Sequence, residues 1–279
     1  MTDTGLHRRL RQFAKNSGAM AGLLIVLVLV IIAVFAPQVS PYQPNAIAIH
    51  LRFQPPSPEH LFGTDNLGRD VLSRVIFATR ISLLVGVVSV AISGVVGGLL
   101  GLLAGFAGGA LDNLIMRLTD IQLSFPPLLV AVAVAAVLGP GLINVIIVLT
   151  ITQWAQYARL GRGSALRIRH LEYVQAAQAL GSSRARILLR HVLPNALSPL
   201  IIMATLQLAL VILTEASLSF LGLGVPPEVV TFGSMISASR DYLGIAWWFG
   251  VFPGIALMFL VLGFNFLGDG LNDLLDPKR

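Results

Sequence analysis

Apolar runs of bilayer length recur along almost the whole chain, and no other feature restricts its fold so strongly. A helix needs roughly 20 apolar residues to cross the hydrocarbon core. Runs that meet or approach this fall at 19–36, 81–106, 125–138, 142–154, 197–218 and 247–267. The third and fourth are short, and Gly139-Pro140-Gly141 between them reads as a tight turn joining two antiparallel spans. The expected fold is therefore all-α and polytopic, with about six transmembrane helices. Composition agrees: 56% of residues are hydrophobic and 11% are charged, where soluble domains carry about a quarter charged. Arg8, Arg9, Arg11 and Lys15 precede the first run. That run exceeds the usual 7–15 residues of a cleaved signal, so it reads as a retained helix.

Basic residues orient the chain, since positive loops stay on the cytoplasmic side. With the N-terminus inside, only Arg52, Arg69, Arg74, Arg80 and Arg240 fall outside. Both termini are expected in the cytoplasm, and the net charge of +6 reflects this bias and not nucleic-acid binding. The expected organisation is an inner segment 1–18, a first helix 19–36, an outer segment 37–80 and a transmembrane core 81–279. Within the core lie an inner loop at 157–195 and an outer loop at 222–246.

The prolines of 37–58 predict irregular chain, followed by a turn and a short helix capped by Asp70 and lying along the membrane surface to Arg80. Glu59, His60, Asp65 and Asp70 are carboxylates and a histidine beside turns and caps, and no metal site is assigned to them. Gly97, Gly101, Gly105 and Gly109 recur every four residues, with Gly94 and Gly98 on the next row. This spacing predicts a close helix–helix packing face.

The inner loop has the most informative pattern. Tyr173, Ala176, Ala177 and Leu180 form one helical stripe that Leu166 extends backward. Gly181 stands where helices end in a left-handed residue, Ser182 or Ser183 can cap a following helix, and Pro194 marks entry to the fifth span. On pattern alone, this unit fits either a groove on another protein or an anionic lipid surface.

The QAAxxxG run at 175–181, followed by Leu193-Pro194, resembles the "EAA" loop of permease subunits of binding-protein-dependent ABC importers. FGTDNLGRDVLSR at 62–74, EASLSFLGLG at 215–224 and FNFLGDGL at 264–271 resemble the dipeptide/oligopeptide/nickel branch, in its C-type subunit. The resemblance implies a type I importer fold and an ATPase-coupling loop comprising Tyr173, Gln175, Ala176, Ala177, Leu180, Gly181, Leu193 and Pro194. It further implies a homologous permease partner, two P-loop ATPase subunits that carry ATP and magnesium, and an extracytoplasmic solute-binding protein in a bacterial inner membrane. The cargo implied is a di- or oligopeptide, with nickel chelates, glutathione or another small solute as alternatives. Gln175 departs from the Glu usual in that loop.

No catalytic residue or resident cofactor is expected. Lys15 and Lys278 are the chain's lysines, and neither sits in a P-loop. The spans are nearly free of charge, which argues against a proton-coupled carrier and for an external motor. A passive channel would not need the inner loop. Glu215 is the charge within the fifth span. It is a candidate gate or pathway residue, or alternatively a structural one that caps the outer loop or pairs with Arg240.

Overall fold

The computed structural model describes residues 13–275, and every regular element among them is helical apart from one isolated bridge between Thr64 and Asp70. In chain order the helices are α1 (Ser17–Val34), α2 (Ala36–Val39), α3 (Val71–Ala107), α4 (Gly109–Leu123), α5 (Pro127–Leu138), α6 (Leu142–Arg169), α7 (Glu172–Ala179), α8 (Arg184–Phe220), α9 (Phe232–Ser239) and α10 (Trp247–Leu275). The chain is an all-α polytopic membrane protein. The segments 1–12 and 276–279, with their basic residues, lie outside the described residues.

By length and apolarity alone, fewer helices among the described residues pass as spans than the six expected runs. Among the described residues, α1, α3, α8 and α10 are long and apolar enough to cross a bilayer, and α4 with α5 makes a fifth if that bent pair is one span. Helix α6 has the length but not the uniform apolarity, because the buried Thr152, Gln153 and Ser164 and the arginines Arg159, Arg162, Arg167 and Arg169 interrupt its apolar run.

Several boundaries also move. No surface helix precedes the second span. Residues 71–107 form one rod of 37 residues, because nothing between Arg80 and Ile81 breaks the helix. Val71, Val75 and Ile76 sit in the protein core and not at a membrane surface. Helix α4 occupies the stretch between the expected runs 81–106 and 125–138, where the sequence reading assigns no element. It meets α5 at a bend of 92°, where Pro126 and Pro127 cannot continue its hydrogen bonds. The inner loop is shorter than 157–195 because α6 runs on to Arg169. The fifth span starts at Arg184, not after Pro194. Its second turn is a π-helix over Leu188–Val192, with Leu193 donating its N–H to the Leu188 carbonyl. Pro194 offers no N–H to Arg190, and the wider turn accommodates that missing bond without ending the helix.

The glycine stripe packs α3 on α6. A side chain at Gly97 or Gly101 would overlap the carbonyls of Trp154 and Ala158, and one at Gly105 would stand 2.6 Å from the Arg162 carbonyl. Gly161 returns the fit from α6, where an added carbon would sit 2.7 Å from the Gly98 carbonyl. Gly109 is not part of this face. With Gly108 it adopts positive φ (63° and 69°) and turns the chain from α3 into α4.

Residues 40–70 and 222–246 form a cap over one end of the bundle, built on buried polar groups. Asp65 is fully buried and accepts the Leu67 and Arg69 N–H groups at 2.8 and 2.9 Å and the Arg69 Nε at 2.6 Å. Arg74 Nε lies 3.6 Å from the same carboxylate. Asp70 caps α3 through the Ser73 N–H at 2.7 Å and holds His60 Nδ1 at 2.9 Å. These carboxylates are thus engaged in holding the cap. From α10, Trp248 Nε1 donates to the Thr64 carbonyl at 3.1 Å. Replacing Trp248 by Phe removes that bond and leaves a buried carbonyl short of a donor, which costs about 1–3 kcal/mol. Thermal unfolding of the purified chain in detergent should show a correspondingly lower midpoint.

Candidate functional site: the α7 loop and the polar wall of the bundle

At the opposite end, α6 stops at His170 and the chain turns into α7, whose first residue, Glu172, complements the helix dipole. The α7 C-terminus closes in a Schellman motif: Ser182 N–H donates to the Ala177 carbonyl and Gly181 N–H to that of Gln178, both at 3.0 Å. Gly181 has φ of +82°, the conformation its position in the sequence predicts. Ser183, not Ser182, caps α8 by accepting the Arg186 N–H.

A residue absent from the predicted stripe fixes the orientation of α7. Val174 is 1% exposed and packs with Leu102, Ala165, Ile168, Ile187, Val192 and Ala196. Rotation about that anchor turns the stripe outward. Tyr173 is 46% and Leu180 87% exposed, Ala176 is exposed and Ala177 half-buried. Leu166 belongs to α6 and does not extend this surface. Tyr173 is steadied by Asn195 Nδ2, which donates to its hydroxyl at 3.2 Å, and by the edge of the His191 ring. Gln175 points off the stripe, its amide donating to the His170 carbonyl at 3.4 Å. Leu193 packs beneath α7 in the Val174 cluster, whereas Pro194 faces outward from α8. The result is a short helix with an apolar, small-residue outer face on a rigid base. The base is braced by ion pairs from α6 to α4: Arg162 grips Asp112 at 2.6 and 2.8 Å, and Arg159 meets Asp120 at 2.6 Å.

Glu215 lies elsewhere, on α8 near the cap. It is fully buried and accepts the hydroxyls of Ser82 at 3.0 Å and Ser219 at 2.8 Å. It joins α8 to α3.

Sequence reasoning named no pathway wall. The structure shows a cavity of about 850 Å³ between α6, α8 and the end of α4, lined by Gln156, Arg159, Gly163, Arg167, Pro199 and Met203 among others. Gln207 donates to Gln156 beside it. The signal was present in the sequence as glutamines at helical spacing on otherwise apolar spans (Gln153, Gln156 and Gln207).

A polytopic helical bundle with a firmly based apolar helix at one end fits a membrane transport subunit. The comparisons make this specific. Residues 97–279 match the family of binding-protein-dependent transport system inner membrane components, and residues 6–56 match the N-terminal transmembrane domain of oligopeptide transport permease C. The chain belongs to this permease family and is a multi-pass inner-membrane protein. It is 46% identical over 274 residues to a di/tripeptide transport system permease protein of Pseudomonas aeruginosa, covering 96% of this chain and 90% of that one. An oligopeptide transport system permease protein of Bacillus subtilis is 40% identical over 267 residues (96% and 88%). A glutathione transport system permease protein of Pectobacterium atrosepticum is 40% identical over 269 residues (96% and 89%).

Proposed function

We propose that this chain is the C-type membrane subunit of an ATP-driven importer, and that with a second, homologous permease it forms the route by which di- and oligopeptides cross the bilayer. Two ATPase subunits sit beneath the permease pair, with α7 as this chain's docking element for the motor, and a solute-binding protein delivers cargo to the cap. In this orientation both termini are cytoplasmic and the cap is outside, which agrees with the basic residues gathered around 159–190. The observation that carries the reading is the outward apolar stripe of α7, a surface that a lipid-facing helix would not need to base so firmly on Val174.

ATP binding closes the motor dimer and draws in the α7 stripe of Tyr173, Ala176, Ala177 and Leu180. The Val174 cluster transmits that displacement to α3, α6 and α8, so the bundle rocks as a body and alternates access between its two ends. Gly181 ends the docking helix, and Leu193 supports it from α8 while Pro194 faces outward beside it. Gln175, turned to its own backbone, makes no ion pair with the motor. Glu215 serves as a positioning residue that fixes α8 to α3 below the cap. Names of relatives that handle dipeptides, oligopeptides and glutathione favour peptide-like cargo.

Tagging the chain and identifying what leaves native membranes with it under gentle solubilisation tests the assembly. A P-loop ATPase together with a second permease is the expected result. Recovery of the chain alone, or as a homo-oligomer, would remove the importer reading in favour of a channel or carrier.

A further inference from the structure

The two large recesses in the bundle differ in chemistry. One, of about 380 Å³ between α3 and α8, is bounded by Val87, Val95, Leu99, Leu197 and Ile201 and suits lipid tails. The other is the cavity of about 850 Å³ between α6 and α8. Its α6 wall repeats Gln156, Gly163 and Arg167 at near-helical spacing, and its α8 wall repeats Pro199 and Met203 one turn apart, with Gln207 the next step along. Gln207 and Gln153 are 3% and 4% exposed, and their side-chain oxygens lack hydrogen-bond partners. Both stand behind the cavity-lining Gln156, Gln207 through its hydrogen bond and Gln153 one turn away on α6, so the wall is polar in depth, an arrangement that hydrocarbon disfavours and water suits. Toward the α7 end the wall becomes cationic with Arg159, paired to Asp120, and Arg167.

We infer that this face is the subunit's share of a water-filled solute route, with Gln156 in the wall of its middle section and Gln207 and Gln153 behind it. Side-chain amides both donate and accept. They can therefore pair with the backbone of a passing peptide whatever its side chains, which suits a route that leaves selection to another protein. The inference rests on the importer reading for its cargo, but not for its wetness.

The chain contains no cysteine, so single thiols report cleanly. Gly163→Cys and Met203→Cys would be compared with Leu210→Cys, a residue 55% exposed on another face of α8, in inside-out vesicles carrying the whole complex. The probe is a charged, membrane-impermeant methanethiosulfonate. It needs water and a thiolate, and each unit by which apolar surroundings raise a thiol pKa removes about tenfold of the thiolate. Both cavity positions should therefore react about tenfold or more faster than Leu210→Cys. Equal, slow reaction at all three positions would overturn the inference, because the recess would then be filled by lipid or a partner's helix; ATPase co-purification would leave the importer reading standing. A second measurement follows depletion of a mixed di- and tripeptide pool by mass spectrometry, normalised to assembled complex. Gln156→Leu combined with Gln207→Leu should slow uptake about tenfold or more for every peptide alike. Unchanged uptake, or loss confined to particular side chains, would overturn the amide role. Failure of the unmodified complex to take up any peptide would instead remove the peptide cargo, while the labelling still decides the route.

Discussion

A chain carrying Ala177→Asp is expected to insert and fold normally and to lose uptake by about 100-fold or more. Ala177 is half-buried on the outward stripe of α7, with Tyr173 one turn before it and the exposed Leu180 after it. In the free subunit a carboxylate there finds water, and its cost is limited to an unfavourable meeting with the helix C-terminus of about 0.3–1 kcal/mol. In a closed cleft the same charge is desolvated without a partner, which costs about 3–5 kcal/mol. At 1.4 kcal/mol per factor of ten, docking weakens by roughly two to three orders of magnitude. Uptake per inserted subunit, measured beside the ATPase rate, checks this. A carboxylate off the stripe, as in Gln178→Glu, should leave uptake near normal. Normal uptake by Ala177→Asp would remove α7 as the docking element.

The largest effect on folding is expected from Gly101→Val. An ordinary overpacked core loses about 1–3 kcal/mol, and much of that is limited by side chains moving aside. Here the obstacle is the Ala158 carbonyl in the backbone of α6. It cannot move without separating the two helices along the whole Gly97–Gly105 face, so a loss of about 3 kcal/mol or more is expected. The folded fraction in detergent, followed by size-exclusion profile and protease resistance, should fall sharply. Gly254→Val is the matched control, because nothing lies within 4 Å of the added carbon. Equal behaviour of the two variants would mean that the α3–α6 contact is looser than described.

The sequence showed what depends on local pattern. The long apolar runs, the glycine face from Gly97 to Gly105, the left-handed Gly181 and the outward side of α7 at Tyr173, Ala176 and Leu180 follow from residue type and spacing. What it concealed depends on partners distant in the chain. Arg162 and Arg159 hold Asp112 and Asp120 of α4 from α6, pairs 50 and 39 residues apart in the chain. Residues 71–80 looked amphipathic enough for a membrane surface, but the surface they cover is the protein's own core. Val174 was passed over because a buried anchor and an exposed stripe residue look alike in one dimension. The glutamines of α6 and α8 carried a legible signal, but their meaning came only when a cavity stood beside them.

Helix α3 is 37 residues long, or about 55 Å at 1.5 Å per residue, against a hydrocarbon thickness of about 30 Å. Its Asp70 end is built into the cap, and its Leu102 end packs on the Val174 cluster. A stiff beam clamped at both ends and glued to α6 along its flank has no joint at which to absorb a push. In the proposed importer, a push on α7 reaches the cap as a tilt of this whole rod. The geometry of this one beam makes simultaneous opening of both mouths mechanically awkward, and a leak-free pump requires such opposition.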